Sequence, residues 1–246
     1  MKALILAAGL GTRLRPITDT MPKALVSVGG KPMLQRAMEN LKGAGFDEVA
    51  VNVHHFGQQI IDFLDDNRNF GMTVHISDER GQLLETGGGI KKAARLFTGD
   101  EPFLVCNVDI LTNAAFDEVY AHHVRSGNDA TLLVSRRDTT RYLIFGRENG
   151  LMCGWHNKKT GEIRPEGFTY DDGLHFEAAF SGVHVISPSL LRYMDEDERW
   201  SGKFSIIDFY IDVCRKARIG AYMQEGLELL DIGKIDTLRR IEGSHA

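Results

Sequence analysis

The sequence predicts an α/β fold with a Rossmann-like, doubly wound and mostly parallel sheet. Three observations lead to this prediction. The chain opens on the apolar run KALILAA, which is typical of a central strand buried on both faces. A glycine-rich loop follows that run directly. Strand-like and helix-like segments then alternate up to about residue 135, the order expected of parallel strands joined by crossover helices.

The segments before residue 135 are assigned from their apolar spacing. Runs of alternating or continuous apolar residues predict strands, and recurrence at helical spacing predicts helices. One helix begins at Pro32, a residue favoured at a helix start, and ends at Gly45. The predicted strands are residues 2–8, 47–55, 72–79, 102–110 and 129–137, and the predicted helices are residues 32–45, 57–66, 90–97 and 114–127.

Beyond Arg137 the pattern changes. Residues 142–155 predict a β-hairpin around Glu-Asn-Gly, and residues 157–167 are a turn-rich excursion. The remaining predictions are strands at residues 176–187, 219–226 and 227–233 and helices at residues 204–217 and 235–243. Because no stretch has the composition of a linker, we expect a single domain over residues 1–246.

Composition excludes some classes of partner. The net charge is −5 and no block of lysine and arginine stands out, so we expect no nucleic-acid partner. No apolar run approaches the length of a membrane span, so we expect no membrane partner. Cys106, Cys153 and Cys214 are far apart and odd in number, which is typical of reduced thiols. These features together predict a cytoplasmic protein.

The loop LAAGLGTRLRP, residues 6–16, is a candidate phosphate-binding site. Glycines let backbone N–H groups approach phosphate oxygens, and Arg13 adds a cation. A dinucleotide-binding loop would need a third glycine where Leu14 stands, and a P-loop would need a lysine that is missing here. Neither of these two familiar loops fits.

Extended to Pro22 and Lys23, the stretch has the pattern L-A-A-G-x-G-T-R-L-x-P-x(5)-P-K. This pattern resembles the sugar-1-phosphate nucleotidyltransferases. The resemblance implies a nucleoside triphosphate and a sugar 1-phosphate as partners, with a nucleotide-binding part at residues 1–135 and a sugar-binding and closing part at residues 136–246. It also implies that Arg13 holds the leaving pyrophosphate and that Lys23 reaches the reacting phosphates. The loop residues implied to wrap the triphosphate are Ala8, Gly9, Gly11 and Thr12.

Lys23 is expected to lie on a surface loop. A lysine in such a loop contributes little to folding, so its loss should impair turnover more than stability.

Two aspartates follow buried strand-like runs. Asp109 ends FLVCNVD and Asp231 ends LELLD. Mg²⁺ prefers oxygen ligands and commonly takes one or two carboxylates together with phosphate oxygens. The resemblance implies that both aspartates bind Mg²⁺ as the cofactor, and that Asp109 joins Arg13 and Lys23 as a catalytic residue.

A second glycine-rich stretch, ETGGGI, runs from Glu85 to Ile90. Its glycines offer a backbone surface to a flat base, although a flexible helix start capped by Thr86 is an alternative. The string resembles the N-acetylmuramic acid 1-phosphate uridylyltransferases within the family. The resemblance implies nucleotide contacts from Glu85, Thr86, Gly87 and Gly88. Sugar contacts are expected from Asn107, Asn157, Glu177 and Gly182.

The choice of substrate stays open at this point. UTP and N-acetylmuramic acid 1-phosphate are favoured, but a mannose- or heptose-1-phosphate guanylyltransferase is an alternative. A non-catalytic, nucleotide-sensing relative is another, although such relatives tend to lose the lysine or an aspartate that this chain keeps. The oligomeric state is not predicted. In the excursion expected to face the acceptor, the candidate cations are Lys158, Lys159 and Arg164.

Overall fold

The computed structural model describes residues 1–233 and 237–238. Its helices are α1 (Met33–Gly43), α2 (Gly57–Asp66), α3 (Glu85–Ala94), α4 (Phe116–Ser126), α5 (Pro188–Asp195) and α6 (Ile206–Val213). Its strands are β1 (Lys2–Leu6), β2 (Ser27–Val28), β3 (Lys31–Pro32), β4 (Glu48–Val53), β5 (Thr73–Asp78), β6 (Phe103–Asn107), β7 (Ile110–Thr112), β8 (Ala130–Ser135), β9 (Arg141–Gly146), β10 (Met152–Asn157), β11 (Glu162–Arg164), β12 (His175–Ile186), β13 (Ile219–Met223) and β14 (Leu229–Asp231).

A parallel four-stranded unit forms one end of the main sheet. β1 pairs in parallel with β4 on one side and with β6 on the other, and β5 extends the unit beyond β4. In this register Leu6 is opposite both Asn52 and Asn107. The carboxyl ends of three strands therefore meet at one edge, where open α/β sheets bind their ligands.

Helices cover both faces of this unit. Ala3 and Ile5 of β1 face a core cluster built from α1, α2 and α4, whereas Leu4 faces a second cluster built from α3, α5 and α6. Successive side chains of a strand point to opposite faces, so an apolar run serves both clusters at once. The predicted doubly wound α/β fold is confirmed.

An antiparallel region continues the same sheet. The long strand β12 pairs with β6, β8 and β9, and the hairpins of β9, β10 and β11 extend it outward. β12 carries a register shift between Phe180 and His184, and Gly182 within it has φ +76°, a left-handed conformation that favours glycine. The bulge interrupts the pairing of β12 with β8 between these two residues.

Some predicted boundaries were wrong. α3 begins at Glu85, ahead of the predicted start at Ile90, because its glycines pack tightly enough to be helical despite their low propensity. The predicted excursion contains the strand β11, and α5 was not predicted. The predicted closing helix at residues 235–243 lies outside the described residues except for Thr237 and Leu238, which are helical. Within the described residues, no helix is long and apolar enough to cross a membrane.

Candidate active site

A cavity of about 450 Å³ opens at the carboxyl edge of β1, β4 and β6. It is lined by Leu6, Ala7, Ala8, Gly9, Lys23, Asn52, Leu83, Glu85, Thr86, Asn107, Val108, Asp109 and Ser205. The structure thus brings together seven of the site residues predicted from sequence, from segments spread over a hundred positions. These seven are Ala8, Gly9, Lys23, Glu85, Thr86, Asn107 and Asp109.

The signature loop after β1 divides into two kinds of glycine. Gly9 lines the cavity, and a methyl group added there would meet nothing within 4 Å. Gly11 has φ +66°, and an added methyl group would lie 2.8 Å from the Thr18 methyl carbon and 3.1 Å from Cβ of Lys23. Thr12 is exposed and begins a short 3₁₀ turn. Gly9 therefore faces the open cavity, whereas Gly11 packs behind Lys23.

A buried polar network fixes the start of this loop. The side-chain oxygen of Asn52 accepts hydrogen bonds from the amides of Ala7 (2.6 Å) and Ala8 (3.1 Å), and its amide donates to Glu79 Oε1 (2.8 Å). The other carboxylate oxygen of Glu79 accepts from the amide of Leu84 at 3.0 Å. The network ties the two walls of the cavity together. Neither side chain was predicted as a site residue. Asn52 had an available signal, since it is the one polar residue within the apolar run VAVNV, whereas Glu79 had none.

Lys23 lies inside the structure and not on a surface loop, which corrects the prediction. Only 9% of the residue is exposed, and its ammonium forms an ion pair with the carboxylate of Asp109. The side chains of the pair are 11% and 18% exposed, so the surrounding protein screens the charges less than water would. Lys23 therefore contributes to the integrity of the site through this ion pair.

Asp109 and Asp231 are neighbours through a short antiparallel ladder. β7 begins directly after Asp109 and pairs with β14, which places Asp231 opposite Ile110. The amide of Ile232 donates to the backbone oxygen of Asp109 at 3.0 Å. The two predicted metal ligands, far apart in sequence, thus lie on adjacent strands.

The side chain of Arg13 lies close to that of Asp231. A methyl group added to Gly233 would lie 2.5 Å from Nη2 of Arg13 and 2.6 Å from Oδ1 of Asp231, so both side chains crowd the same glycine. Arg13 is exposed and does not line the 450 Å³ cavity. The arginine therefore lies outside that cavity, beside Asp231.

The glycines of α3 have a packing role that the sequence did not suggest. Gly87 and Gly88 are buried, and their amides donate to the backbone oxygen of Phe204 at 2.9 and 3.4 Å. An added methyl group would collide with the Phe204 ring at Gly87 and with the backbone oxygen of Gly202 at Gly88. The two glycines face the segment before α6 and do not line the cavity, so the predicted picture of a bare glycine surface beneath the base does not describe them.

Thr86 caps α6 and not α3, the helix in which it lies. Its hydroxyl accepts a hydrogen bond from the amide of Ile206 at 3.0 Å, at the start of α6. Glu85 has φ +59° and its carboxylate lies 3.3 Å from the ammonium of Lys203. Together with the glycines of α3, these contacts position Ser205 on the wall of the cavity.

The four predicted sugar residues are divided between two regions. Asn107 and Gly182 are in contact range, since a methyl group on Gly182 would lie 2.8 Å from Nδ2 of Asn107, and both line a 300 Å³ cavity with Asp231. Glu177 lines another cavity, and its carboxylate lies 2.6 Å from His156 Nδ1 and 2.7 Å from the Lys158 ammonium.

The side chain of Asn157 makes a local hydrogen bond. Its side-chain oxygen accepts from the amide of Lys159 at 3.1 Å, within the turn between β10 and β11.

The carboxyl edge of a parallel sheet, a glycine loop and paired lysine and carboxylate groups define a phosphate-handling α/β protein. A family model described as nucleotidyl transferase matches residues 2–243, and the chain belongs to this family. The class of activity that follows is transfer of a nucleotidyl group to a sugar 1-phosphate.

Individual relatives of this chain have named activities. The N-acetylmuramate alpha-1-phosphate uridylyltransferase of Caulobacter vibrioides is 33% identical over 92% of this chain and 89% of its own length. The enzyme of that name from Neisseria meningitidis serogroup B is 47% identical over 49% of this chain and 52% of its own length. A mannose-1-phosphate guanyltransferase of Gibberella zeae is 36% identical over 61% of this chain and 42% of its own length.

Solved structures share the fold. A UDP-glucose pyrophosphorylase complexed with UDP-glucose superposes with a TM-score of 0.76 at 20% sequence identity, covering 99% of this chain and 97% of that one. At this identity the similarity speaks for the fold alone.

Proposed function

We propose that this chain transfers the uridylyl group of UTP to N-acetylmuramic acid 1-phosphate and releases pyrophosphate. The observation that carries the proposal is the Lys23–Asp109 ion pair, which lines the same cavity as Gly9 of the signature loop. The two N-acetylmuramate alpha-1-phosphate uridylyltransferases among its relatives support the choice of substrates.

The proposed reaction needs no protein side chain as a general base. An oxygen of the acceptor phosphate attacks the α-phosphorus in line, and the bond from that phosphorus to the bridging oxygen breaks. The electron pair leaves with pyrophosphate. The second pKa of a phosphate monoester is about 6, so the attacking phosphate is already largely ionised at neutral pH. Catalysis is then positioning and charge neutralisation.

Each residue is proposed to have a role that follows from its position in the site. Gly9 lets the triphosphate approach the backbone of the loop closely, and Lys23 offsets negative charge at the reacting phosphates. Arg13, beside Asp231, would bind the pyrophosphate as it leaves. Asn52 and Glu79 hold the two walls at a constant separation while the phosphates change position.

The donor set also fits a magnesium ion. Asp109 and Asp231 offer carboxylate oxygens from adjacent strands, and the described residues contain no cluster of three or more potential metal ligands. Two carboxylates completed by phosphate oxygens is the arrangement that Mg²⁺ favours over an all-protein cage. When bound, the ion would neutralise charge on the triphosphate and polarise it toward attack.

A guanylyltransferase acting on mannose or heptose 1-phosphate is the second candidate. The mannose-1-phosphate guanyltransferase relative supports it, over a smaller share of the chain. A non-catalytic nucleotide sensor is disfavoured because Lys23 and Asp109 are both present and paired. We also retain the proposal of one domain over residues 1–246, supported by the continuous sheet that joins its two parts.

The test is a pyrophosphate-release assay. UTP, GTP, CTP, ATP and dTTP are each combined with the 1-phosphates of N-acetylmuramic acid, N-acetylglucosamine, mannose and heptose. The proposal expects the highest kcat/KM for UTP with N-acetylmuramic acid 1-phosphate. A higher value for GTP with mannose or heptose 1-phosphate would establish the second candidate, and no turnover with any pair would favour the sensor. Repeating the assay with EDTA and then with added Mg²⁺ tests the metal.

A further inference from the structure

A second cavity of about 430 Å³ adjoins the site just described. It shares Ser205 with the 450 Å³ cavity, and it shares Arg137 and Phe180 with the 300 Å³ cavity that contains Asp231. A ligand in this second cavity would therefore be next to both the nucleotide side and the carboxylate side of the reaction centre. We refer to it as the arginine cavity.

The arginine cavity carries an excess of positive charge. Arg137, Arg141 and Arg164 line it, against the single carboxylate of Asp208. Arg164 is already engaged, because its Nη1 donates to Asp208 at 2.9 Å and its guanidinium lies 5.7 Å from the centre of the Trp155 ring.

The other two arginines retain their charge for a ligand. Nη2 of Arg137 donates to the backbone oxygen of Phe180 at 3.0 Å, which satisfies one of its donors and neutralises none of its charge. Within residues 1–233, neither Arg137 nor Arg141 has a carboxylate within 4.0 Å. Both arginines are exposed, and their two guanidinium groups on one cavity offer forked donors to an anion.

The remaining walls suit a sugar ring. Trp155 and Phe180 contribute aromatic surface, and Leu143 and Ile207 contribute aliphatic surface. The phosphate of the acceptor must lie at the reaction centre, near Lys23 and Asp231. An anion bound by Arg137 and Arg141 is therefore a different group on the same acceptor.

We propose that Arg137 and Arg141 bind a carboxylate carried by the acceptor sugar, and so select an acidic sugar 1-phosphate over a neutral one. This inference rests on the proposed function, because N-acetylmuramic acid carries a lactyl carboxylate that N-acetylglucosamine lacks. The two arginines offer forked donors to its two oxygens, a geometry that a lysine could not reproduce. The subsite differs from the one predicted around Asn157 and Glu177.

The test uses two acceptors of equal size. N-acetylmuramic acid 1-phosphate and its lactyl carboxamide are compared with UTP, in the wild type and in the Arg141→Gln and Arg137→Gln variants. The wild type should prefer the carboxylate by about 10- to 100-fold in kcat/KM, the typical worth of a hydrogen bond to a charged group. Arg141→Gln should lose most of that preference through a higher KM, while its rate with the carboxamide stays within about twofold. Arg141→Lys should restore part of it.

Arg95→Gln is the matched control, since Arg95 is exposed at the end of α3, away from the cavity. Preference retained in both arginine variants would overturn the subsite while leaving the proposed function intact. An equal loss on both acceptors would also overturn it, because the arginines would then act on the phosphate or the fold. If the wild type does not turn over N-acetylmuramic acid 1-phosphate, the proposed function is rejected as well. This outcome is measured on the wild type alone, without any variant.

Discussion

Lys23 and Asp109 form a partly buried ion pair on the wall of the cavity, and each side chain constrains the other. Asp109 directly precedes β7, and Lys23 begins a short 3₁₀ turn after Pro22. Removing either charge leaves its partner unpaired in a position where water reaches it poorly. The pair therefore couples the stability of the site to its chemistry.

We predict that Lys23→Ala lowers both stability and turnover. The free energy of unfolding should fall by about 1–3 kcal/mol, less than for a fully buried pair because both side chains keep some contact with water. The loss in kcat should reach about 100-fold, typical for removal of an electrostatic stabiliser, and Asp109→Asn should give a similar loss. Urea denaturation and a pyrophosphate-release assay measure the two effects.

Lys31→Ala provides the control for this prediction. Its ion pair with Glu39 has side chains 38% and 41% exposed, so its loss should cost no more than about 1 kcal/mol and leave turnover unchanged. If Lys23→Ala lost stability but kept its rate, Lys23 would be a structural residue and the mechanism would need another cation.

At the scale of the element, the loop between β1 and α1 combines an open surface with a tightly packed support. Gly9 borders the cavity, and Gly11 is held in a left-handed conformation against Thr18 and Lys23. The hydroxyl of Thr18 also donates to the backbone oxygen of Gly11 at 2.8 Å. Gly9 thus borders open space, whereas Gly11 is required by the packing of the protein.

We predict opposite consequences for Gly9→Ala and Gly11→Ala. Gly9→Ala should leave the unfolding free energy within about 0.5 kcal/mol, because the added methyl group meets no protein atom, but should raise the KM for the nucleotide about tenfold or more. Gly11→Ala should destabilise by about 1–3 kcal/mol through backbone strain and the close approach to Thr18.

The comparison is its own control, since the two substitutions add the same methyl group two residues apart. Thermal unfolding and nucleotide KM are measured for both. A Gly9→Ala variant with an unchanged KM would show that no ligand approaches this part of the loop.

At the scale of the whole molecule, two buried histidines make the fold sensitive to acid. Burial lowers the pKa of His123 to about 4 and that of His184 to about 3, because the charged imidazolium is poorly solvated inside the protein. His123 hydrogen-bonds through Nδ1 with Thr131 at 3.0 Å, and His184 through Nδ1 with the Tyr210 hydroxyl at 2.6 Å. Both are neutral in the folded state at neutral pH.

We predict that stability falls as the pH drops below about 6.5. Unfolded histidine has a pKa near about 6.5, so below it the unfolded state binds protons that the folded state excludes. Each histidine should then cost about 1.4 kcal/mol per pH unit, until the pH reaches its folded pKa near 4 or 3. Urea denaturation at pH 7, 6 and 5 measures the slope.

His123→Gln should roughly halve that slope, whereas His55→Gln, at an exposed position, should not change it. Equal slopes in all three proteins would show that the acid sensitivity comes from other groups.

Local patterns in the sequence were sufficient for most elements. A continuous apolar run predicts β1 because a strand covered on both faces needs apolar side chains at every position, and helical spacing predicts α2 over residues 57–66, its observed bounds. Strand-end placement and the signature pattern similarly indicated Lys23 and Asp109 as site residues. These are properties of a few neighbouring residues, and they need no knowledge of the rest of the chain.

The contacts that complete the site could not be read in this way. Asn52 contacts Glu79, 27 residues away in sequence, and Gly88 approaches Gly202, more than a hundred residues away. Arg137 contacts Phe180 of β12, and the sequence did not predict how β12 pairs with its neighbours. Their partners are set by packing of distant segments, where only the summed fit of the core selects one arrangement. The sequence by itself determined the fold class, the family and the edge of the sheet at which the chemistry lies. Only the tertiary structure decided that Lys23 is buried, that the α3 glycines are packing residues, and that Arg137 and Arg141 line a cavity next to the site.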